Sequence, residues 1–333
     1  MSLFSKLVRS AGPLGAYALA RNLCRNQPRI LMYHRFQAGD GENGFFERQI
    51  RHIKQRYQPF SLAGLLEHID SYGAAPKHAI VVTVDDGYRD FYREAFPVLR
   101  KYGVPATLFA TTGFIDGRLW LWPDKVTWIL NQAEKVDGDI KFGPVTLESG
   151  RSGQELIDRY WKPLIDHALS IPDAEKHDLI QSLAEALRVD LSDQAPEGFA
   201  ACTWSELLEM QSAGIEIGGH TVTHPTLGQV TVTQARAEIF GCRDELNEHL
   251  GSEVRTFCYP NGQPSDLQDF LLPMVEESGF RGAVTAFPDS KGIKERFAMR
   301  RHACGKDDFQ FRKAVSGVEY LGQRLRGSAY NVQ

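Results

Sequence analysis

Residues 79–87 read Ala-Ile-Val-Val-Thr-Val-Asp-Asp-Gly, an apolar run that ends in two adjacent carboxylates. Such a run predicts a strand buried on both faces, as in a parallel α/β sheet. Asp85 and Asp86 then follow the carboxyl end of this strand, where active sites form in barrels. Adjacent acids repel each other unless a cation or a shared proton relieves them, and a bound divalent metal often does so. The stretch therefore indicates both a fold class and a candidate metal site.

A second stretch would complete that site. Residues 215–225 read Ile-Glu-Ile-Gly-Gly-His-Thr-Val-Thr-His-Pro, so a predicted strand is followed by His220 and His224. One carboxylate and two neutral imidazoles make a three-ligand site with an open position for water, and the other carboxylate is left free as a base. Each pair also has an interpretation without a metal, since Asp-Asp-Gly is a common turn and two histidines can occur in a loop by chance. Both pairs at strand ends of one chain favour a metal-dependent hydrolase.

The wider pattern predicts one barrel domain with an insertion. Short apolar runs alternate with helical patterns on both sides of residues 116–200, which is typical of a largely parallel sheet. Within residues 116–200 there is no convincing core strand, and apolar residues recur with helical period. The predicted fold is α/β, a distorted parallel (β/α) barrel. Its segments are an N-terminal helical segment (1–28), the first part of the barrel (29–115), a helical insertion (116–200), the second part of the barrel (201–310), and a C-terminal helix and tail (311–333).

Three tryptophans, Trp120, Trp122 and Trp128, cluster at the start of the insertion. The simpler interpretation is that they pack the insertion onto the barrel. The alternative is a platform for sugar stacking, because aromatic faces bind pyranose rings well.

Composition limits the classes of partner. A net charge of -4 and the absence of a basic run argue against a nucleic-acid partner. The five cysteines are scattered, odd in number and never form Cys-x-x-Cys, which favours reduced thiols in a cytoplasmic protein.

The N-terminus is ambiguous. Lys6 and Arg9 precede a weakly apolar stretch at residues 11–20, and residues 18–20 could pass for a cleavage site. Gly and Pro residues interrupt the stretch, so it makes a poor signal core, and we expect a cytoplasmic protein with export left open. The apolar residues beside Lys6 and Arg9 could form a helix on a membrane surface, or a helix packed across the bottom of the barrel.

Three motifs together resemble one known family. Residues 83–87 match the first motif of the polysaccharide deacetylase family, carbohydrate esterase family four, and residues 219–225 match its second motif. Residues 257–262, Phe-Cys-Tyr-Pro-Asn-Gly, resemble its third motif. The resemblance covers about residues 29–308 apart from the insertion, and it implies a barrel of the seven-stranded type.

The resemblance also implies roles for the first two motifs. Asp85 would be the general base, and Asp86, His220 and His224 would bind the metal. Zinc suits two imidazoles and one carboxylate, although nickel, cobalt or iron(II) would also fit. The third motif, with Tyr259, Pro260 and Asn261, would line the substrate groove.

Two departures concern the third motif. Its proline is followed by Asn261, whose backbone N–H would stabilise the oxyanion, where a frequent aromatic stands in the family. Many members also carry an arginine that orients the base, and that position is Cys258 here. Arg301, in a predicted strand at residues 297–304, is the candidate replacement, with a surface arginine as the alternative. Cys258 as a fourth ligand would close the site.

A further departure concerns the general acid. Many members end in a Leu-x-His motif, which does not occur after Gly282. Residues 30–34, Ile-Leu-Met-Tyr-His, open the barrel instead, and the first strand of a closed barrel can occupy the place of the last. This arrangement resembles the circularly permuted branch that acts on biofilm polysaccharides and implies His34 as the acid. The rival is His302, although strand alternation turns it away from the face that Arg301 uses. His34 could also be a hydrogen-bonded histidine at a strand end.

The expected function is metal-dependent N-deacetylation of an N-acetylated amino sugar in a polysaccharide or glycan intermediate. Alternatives are a deformylase, an amidohydrolase of another sugar amide or a small cyclic amide, and a non-catalytic glycan-binding barrel. The metal triad is intact, which weighs against the last. The other histidines, among them His52, are interpreted as surface residues.

Overall fold

The computed structural model describes residues 15–325 and 327 of the chain. The strands are β1 (Arg29–Tyr33), β2 (Gln58–Phe60), β3 (Ala79–Val84), β4 (Thr107–Ala110), β5 (Ile140–Phe142), β6 (Val145–Leu147), β7 (Glu216–Gly219), β8 (Thr256–Cys258), β9 (Gly282–Val284) and β10 (His302–Ala303). The helices are α1 (Ala16–Leu23), α2 (Phe45–Arg56), α3 (Leu62–Tyr72), α4 (Phe96–Tyr102), α5 (Thr112–Ile115), α6 (Trp122–Gln132), α7 (Gln154–Ser170), α8 (Asp173–Ala186), α9 (Trp204–Ser212), α10 (Val232–Leu250), α11 (Leu271–Glu277), α12 (Asp308–Ser316) and α13 (Val318–Leu325).

Seven parallel strands form the main sheet in the order β10-β1-β3-β4-β7-β8-β9, and β2 pairs with β3 beside them. A parallel bridge from Val284 of β9 to Met299, just before β10, brings the last strand back to the other edge. The sheet therefore curls into a distorted barrel, and the predicted (β/α) barrel of seven strands is confirmed. Because all seven strands are parallel, their carboxyl ends meet at one rim.

Strand β3 lies in the middle of this sheet between β1 and β4. All six of its residues are buried, as its continuous apolar run predicts for a strand covered on both faces. At β7 the approach of neighbouring side chains requires glycine, because a Cβ on Gly218 would lie 2.6 Å from the ring of Phe109. These two strands deliver the acidic motif and the histidine motif to the same rim.

The insertion has a hydrophobic core of its own. Its buried residues come from α6, α7, α8 and a small antiparallel hairpin of β5 and β6. The sequence indicates only helices here, and the hairpin is missed because two strands of three residues carry too little alternation to stand out. The hairpin pairs with itself, so the absence of a core strand in this segment agrees with the sheet order.

Two further details differ from the sequence pattern. Residues 88–102 look like one helix, but a π-helical turn at Phe91–Ala95 precedes α4. Strand β2 was not expected, because it has three residues and contains Pro59, which weakens any strand pattern. The helix ends follow common capping patterns, since Ser61 caps α3, Thr203 and Glu206 form a capping box on α9, and Gly103 ends α4 with φ 56°.

Helix α1 leads into β1 and contacts α12 and α13. It contains residues 18–20, which the sequence allows as a cleavage site. The residues on which a membrane-surface helix was predicted, 3–9, lie outside the described part of the chain. Within the described part, none of the helices combines the length and the apolar character that a bilayer crossing needs.

Candidate active site

The two adjacent aspartates point to different partners at the end of β3. Both are buried, and Asp86 has a φ of 80°, a left-handed conformation that is uncommon for a residue other than glycine. Strain of this kind persists only where the surroundings fix the backbone, and it concentrates at functional sites. The turn lets each carboxylate take a separate role.

Asp86 faces both motif histidines. Its Oδ1 lies 3.3 Å from His220 Nε2 and 3.3 Å from His224 Nε2. His220 Nδ1 donates to the carbonyl oxygen of Cys258 at 2.7 Å, which leaves Nε2 facing Asp86, where the neutral imidazole would offer its lone pair to a cation. Burial raises the pKa of Asp86, but hydrogen bonding with the two imidazoles outweighs burial and holds that pKa well below its usual value.

The loop that carries the histidines is fixed by a carboxylate from α10. Glu238 accepts the backbone N–H groups of residues 222 and 223, each at 2.8 Å. Thr221 and His224 have positive φ values of 67° and 61°, and the hydroxyl of Thr221 accepts the His224 N–H at 3.0 Å. Sequence reasoning missed Glu238, because nothing in the pattern of α10 distinguishes it from a solvated helix residue. It orients the His-x-x-x-His segment.

Asp85 is held by a buried arginine. Arg301 Nη1 and Nη2 donate to the two oxygens of Asp85 at 2.6 and 2.7 Å, which is a bidentate pair. The guanidinium is fixed in turn by the Thr285 carbonyl oxygen at 2.8 Å from Nε, and its Nη2 lies 3.1 Å from Cys258 Sγ. Burial raises the pKa of Asp85, but the charges of Arg301 and His34 lower it below its ordinary value. The arginine predicted to replace the one absent at Cys258 therefore contacts the predicted base.

Among the described residues, two groups of side chains have the geometry of a metal site. The donor atoms of Asp86, His220 and His224 all lie within 4.8 Å of one another, and so do those of Asp85, His220 and Cys258. In the second group Asp85 is committed to Arg301, and burial raises the pKa of the Cys258 thiol, which disfavours the thiolate that binds metals. The first group presents one carboxylate oxygen and two imidazole nitrogens to one point, and it fits a divalent cation.

The two candidate acids are separated by the fold. His34 Nε2 lies 3.5 Å from Asp85 Oδ2, and its side chain is 47% exposed at the mouth of the site. His302 Nδ1 lies 2.7 Å from a carboxylate oxygen of Glu319 on α13. The structure therefore brings His34, not His302, to the two aspartates.

The third motif reaches the site through its loop. Asn261 has φ 58°, and its side chain donates to Asp266 at 2.6 Å, which fixes the loop. Among the described residues no acceptor takes the Asn261 backbone N–H. Tyr259 and Asn261 line the cavity, whereas Pro260 does not, and the hydroxyl of Tyr259 donates to the Phe297 carbonyl oxygen at 2.9 Å.

A cavity of about 350 Å³ joins these residues. One wall comes from the insertion, with Trp122 from α6 and Trp161, Ile165 and Leu169 from α7. The last three are spaced by four residues and form one stripe of a helix. Of the clustered tryptophans only Trp122 lines the cavity, while Trp120 packs against Trp128 at 6.4 Å between ring centroids.

A polar network that the sequence did not reveal also borders the cavity and includes Asp124 of α6. The hydroxyl of Tyr88 donates to Asp124 at 2.6 Å, and the guanidinium of Arg35 lies 3.9 Å from the centroid of the Tyr88 ring. Burial is the main reason that the pKa of Asp124 rises to about 7, and the nearby carboxylates Asp86 and Asp90 add to it. Arg35 follows His34 and Tyr88 follows the Asp-Asp-Gly motif, so adjacency to the motifs is the signal that could have found both.

Comparison with known proteins gives relatives of one kind. A stretch of 103 residues is 31% identical to the poly-beta-1,6-N-acetyl-D-glucosamine N-deacetylase of Escherichia coli K12, covering 31% of this chain and 11% of that protein. A stretch of 70 residues is 33% identical to the enzyme of the same name from Staphylococcus aureus MSSA476, covering 21% of this chain and 24% of that protein. The chain thus matches at most about a quarter of the length of these two relatives.

Solved structures resemble the chain over most of its length. The Streptococcus pyogenes deacetylase PplD in complex with acetate matches with a TM-score of 0.54 and 18% identity, covering 89% of this chain and 97% of that one. IcaB from Ammonifex degensii matches with a TM-score of 0.54 and 17% identity, covering 87% and 97%. At this level of identity the likeness supports the barrel fold alone.

The family assignment rests on a family model that matches two parts of the chain. The model described as "Polysaccharide deacetylase" matches residues 72–139 and 173–281, just over half of the chain. The unmatched residues between these two parts include the hairpin and α7, whose stripe forms the apolar wall of the cavity. The matched parts contain both the Asp-Asp-Gly and the His-x-x-x-His motifs. The chain therefore belongs to the polysaccharide deacetylase family.

Proposed function

We propose that this protein is a metal-dependent hydrolase that removes the acetyl group from an N-acetylated amino sugar in a polysaccharide or glycan intermediate. The observation that carries the proposal is that the two adjacent aspartates have different partners. Asp85 is clamped by Arg301, while Asp86 faces two imidazoles in the same cavity. An ionised base beside a three-ligand cation site is the arrangement that amide hydrolysis by activated water requires.

Asp86, His220 and His224 would hold the cation. Zinc suits this donor set best, and nickel, cobalt and iron(II) would also fit it. When bound, the cation supplies a Lewis acid for the amide carbonyl and lowers the pKa of a coordinated water.

The remaining steps are carried out by side chains and a backbone N–H group that the fold holds in place. Asp85 is ionised and takes a proton from the attacking water, while Arg301 keeps its carboxylate in a fixed orientation. The backbone N–H of Asn261, which no described acceptor takes, donates to the oxygen that becomes negative. His34, beside Asp85 at the cavity mouth, donates a proton to the departing amine so that the sugar leaves as a neutral amine.

The shape of the cavity supports a carbohydrate substrate. Trp122 and Trp161 present aromatic surface next to the metal ligands, and the weakly polar faces of pyranose rings bind such surface. Arg35 and Tyr88 also line the cavity and place polar atoms within reach of sugar hydroxyl groups. The names of the Escherichia coli and Staphylococcus aureus relatives point to an N-acetylglucosamine polymer as the first substrate to try.

The proposal is tested by a substrate panel. Zinc-reconstituted protein is incubated with N-acetylglucosamine oligomers, the corresponding N-formyl sugars and a small cyclic amide, and the released acid is quantified. We expect acetate release from the oligomers to exceed formate release and ring opening. Preferred release of formate would reassign the enzyme as a deformylase, and hydrolysis of the cyclic amide alone would overturn the carbohydrate assignment.

The role of His34 gives a separate prediction. His34→Ala should lower kcat by about 10²- to 10⁴-fold, because general acid catalysis contributes on that order. Metal content should stay at the wild-type level, since His34 lies near Asp85 and not among the three ligands. His302→Gln is the matched control, because His302 pairs with Glu319 away from the cavity. A large loss in the control with none in His34→Ala would show that the assignment of the acid is wrong.

A further inference from the structure

A second cavity lies among α1, α2 and α12. Its volume is about 390 Å³, and none of its lining residues belongs to the active-site cavity. Its walls are formed by the side of α1, the C-terminal end of α2 and one face of α12. The proposed hydrolysis makes no use of it.

Three arginines from three helices line this cavity. Arg21 comes from α1, Arg56 is the last residue of α2, and Arg312 comes from α12. Arg312 pairs with Asp308 at 3.0 Å, but that aspartate does not line the cavity and is 75% exposed, and an exposed pair of this kind contributes little free energy that a competing anion would have to replace. Arg21 donates only weakly, at 3.5 Å, to the Arg56 carbonyl oxygen, and its Nε is buried without an acceptor among the described residues.

The lining of this cavity has an excess of positive charge. Of the described residues that line it, none is Asp or Glu. This local excess of positive charge contrasts with the net charge of the whole chain, which is -4. Arginines are gathered in this way where their planar donor forks bind oxyanions, and phosphate matches them best.

His52 also lines this cavity, and its pKa is affected by the positive charge of the arginines. It was interpreted as a surface residue, but it is partly buried between the arginines and lies edge-on to Phe311, with 5.7 Å between ring centroids. Burial lowers its pKa to about 4, and the charges of Arg312, Arg56 and Arg21 contribute to the shift. A neutral imidazole can still donate one hydrogen bond to an anion.

We propose that this cavity binds a phosphate group carried by a larger molecule. The guanidinium groups of Arg21, Arg56 and Arg312 bind the phosphate oxygens. The less polar part of the lining, formed by Tyr57, Ala18 and Val315, contacts the group attached to the phosphate. The cavity is well above the volume of one phosphate, so it has room for this group. Two sources offer this chemistry, a soluble phosphate ester and the headgroup of an anionic phospholipid.

The test follows the His52 ring by NMR, a readout that does not depend on catalysis. Addition of inorganic phosphate should raise the His52 pKa by about one unit or more, because a bound anion favours the imidazolium. Sodium chloride at the same ionic strength should not. Arg56→Gln and Arg21→Gln should each weaken phosphate binding about tenfold, and Arg25→Gln is the matched control on the same part of the chain, outside the cavity.

Two further arms separate the sources. Glucose 6-phosphate is titrated in the same way, and vesicles of phosphatidylcholine with and without phosphatidylglycerol are sedimented with the protein. Sedimentation that needs phosphatidylglycerol and is lost in Arg56→Gln but kept in Arg25→Gln identifies a lipid headgroup. Tight binding of glucose 6-phosphate without sedimentation identifies a soluble ester. An equal response to chloride and phosphate, or equal weakening in Arg25→Gln and Arg56→Gln, would overturn the proposal, and acetate release by Arg56→Gln should match that of the wild type in every case.

Discussion

Arg301→Met is expected to lower the free energy of unfolding by about 3–5 kcal/mol, because it leaves the Asp85 carboxylate charged and buried without its partner. The side chains of Arg301 and Asp85 are only 1% and 3% exposed, so water cannot take the place of the guanidinium. The same change should reduce kcat by about 10²-fold or more, since Asp85 loses its orientation and its pKa rises. Urea unfolding and acetate release measure the two effects.

Two further variants separate stability from catalysis. Asp85→Asn combined with Arg301→Met removes both charges, so stability should recover in part while activity stays absent. Arg300→Met is the matched control, because Arg300 is equally buried and pairs with Asp289 at 3.0 Å, away from the catalytic aspartate. It should destabilise the protein, and the folded fraction should remain active. A stable and fully active Arg301→Met protein would rule out the proposed clamp.

Asp86→Asn and His224→Ala are each expected to abolish stoichiometric metal binding and to lower kcat/KM on the order of a thousandfold, about 4 kcal/mol of transition-state stabilisation. A site with three protein ligands loses a third of its donors in either variant, and the remaining pair binds the cation weakly. Metal analysis after dialysis and acetate release provide the two readouts.

Cys258→Ala distinguishes the two groups that have metal-site geometry. Cys258 Sγ contacts Arg301 at 3.1 Å, and our assignment leaves the thiol outside the coordination sphere. The variant should therefore keep one equivalent of metal. Loss of metal in Cys258→Ala with retention in Asp86→Asn would instead select the group of Asp85, His220 and Cys258.

The sequence was sufficient to predict the parts of the site that follow strand ends. A buried apolar run fixes where β3 ends, so the position of Asp85 and Asp86 at the barrel rim follows from local pattern and topology. The same reasoning places His220 and His224 beside them.

The contact between Arg301 and Asp85 is harder to predict, because it joins residues 216 positions apart and depends on which way β10 enters the sheet. Strand alternation favoured His34 over His302 as the acid, but it could not decide whether Arg301 contacts Asp85 or lies on the surface. The position of Arg301 is determined by the closure of the barrel between β9 and β1, because this closure turns the Arg301 side chain inward.

The walls of both cavities lie beyond local pattern. Helical period shows that Trp161, Ile165 and Leu169 share a face, but not that this face lines the active-site cavity as well as packing on the core of the insertion. No sequence motif links the three arginines of the second cavity, Arg21, Arg56 and Arg312. They come together because α1 packs against α12. Such sites arise from tertiary packing, and sequence periodicity does not encode them.

The central claim is that Asp85 acts as the base of a metal-dependent deacetylase. The most direct test is acetate release from N-acetylglucosamine oligomers by zinc-reconstituted wild type and Asp85→Asn, each shown to bind one equivalent of metal. We predict release by the wild type and no release above background by Asp85→Asn. Equal release by the two proteins, or metal-loaded wild type that releases no acetate from any acetylated sugar, would contradict the account.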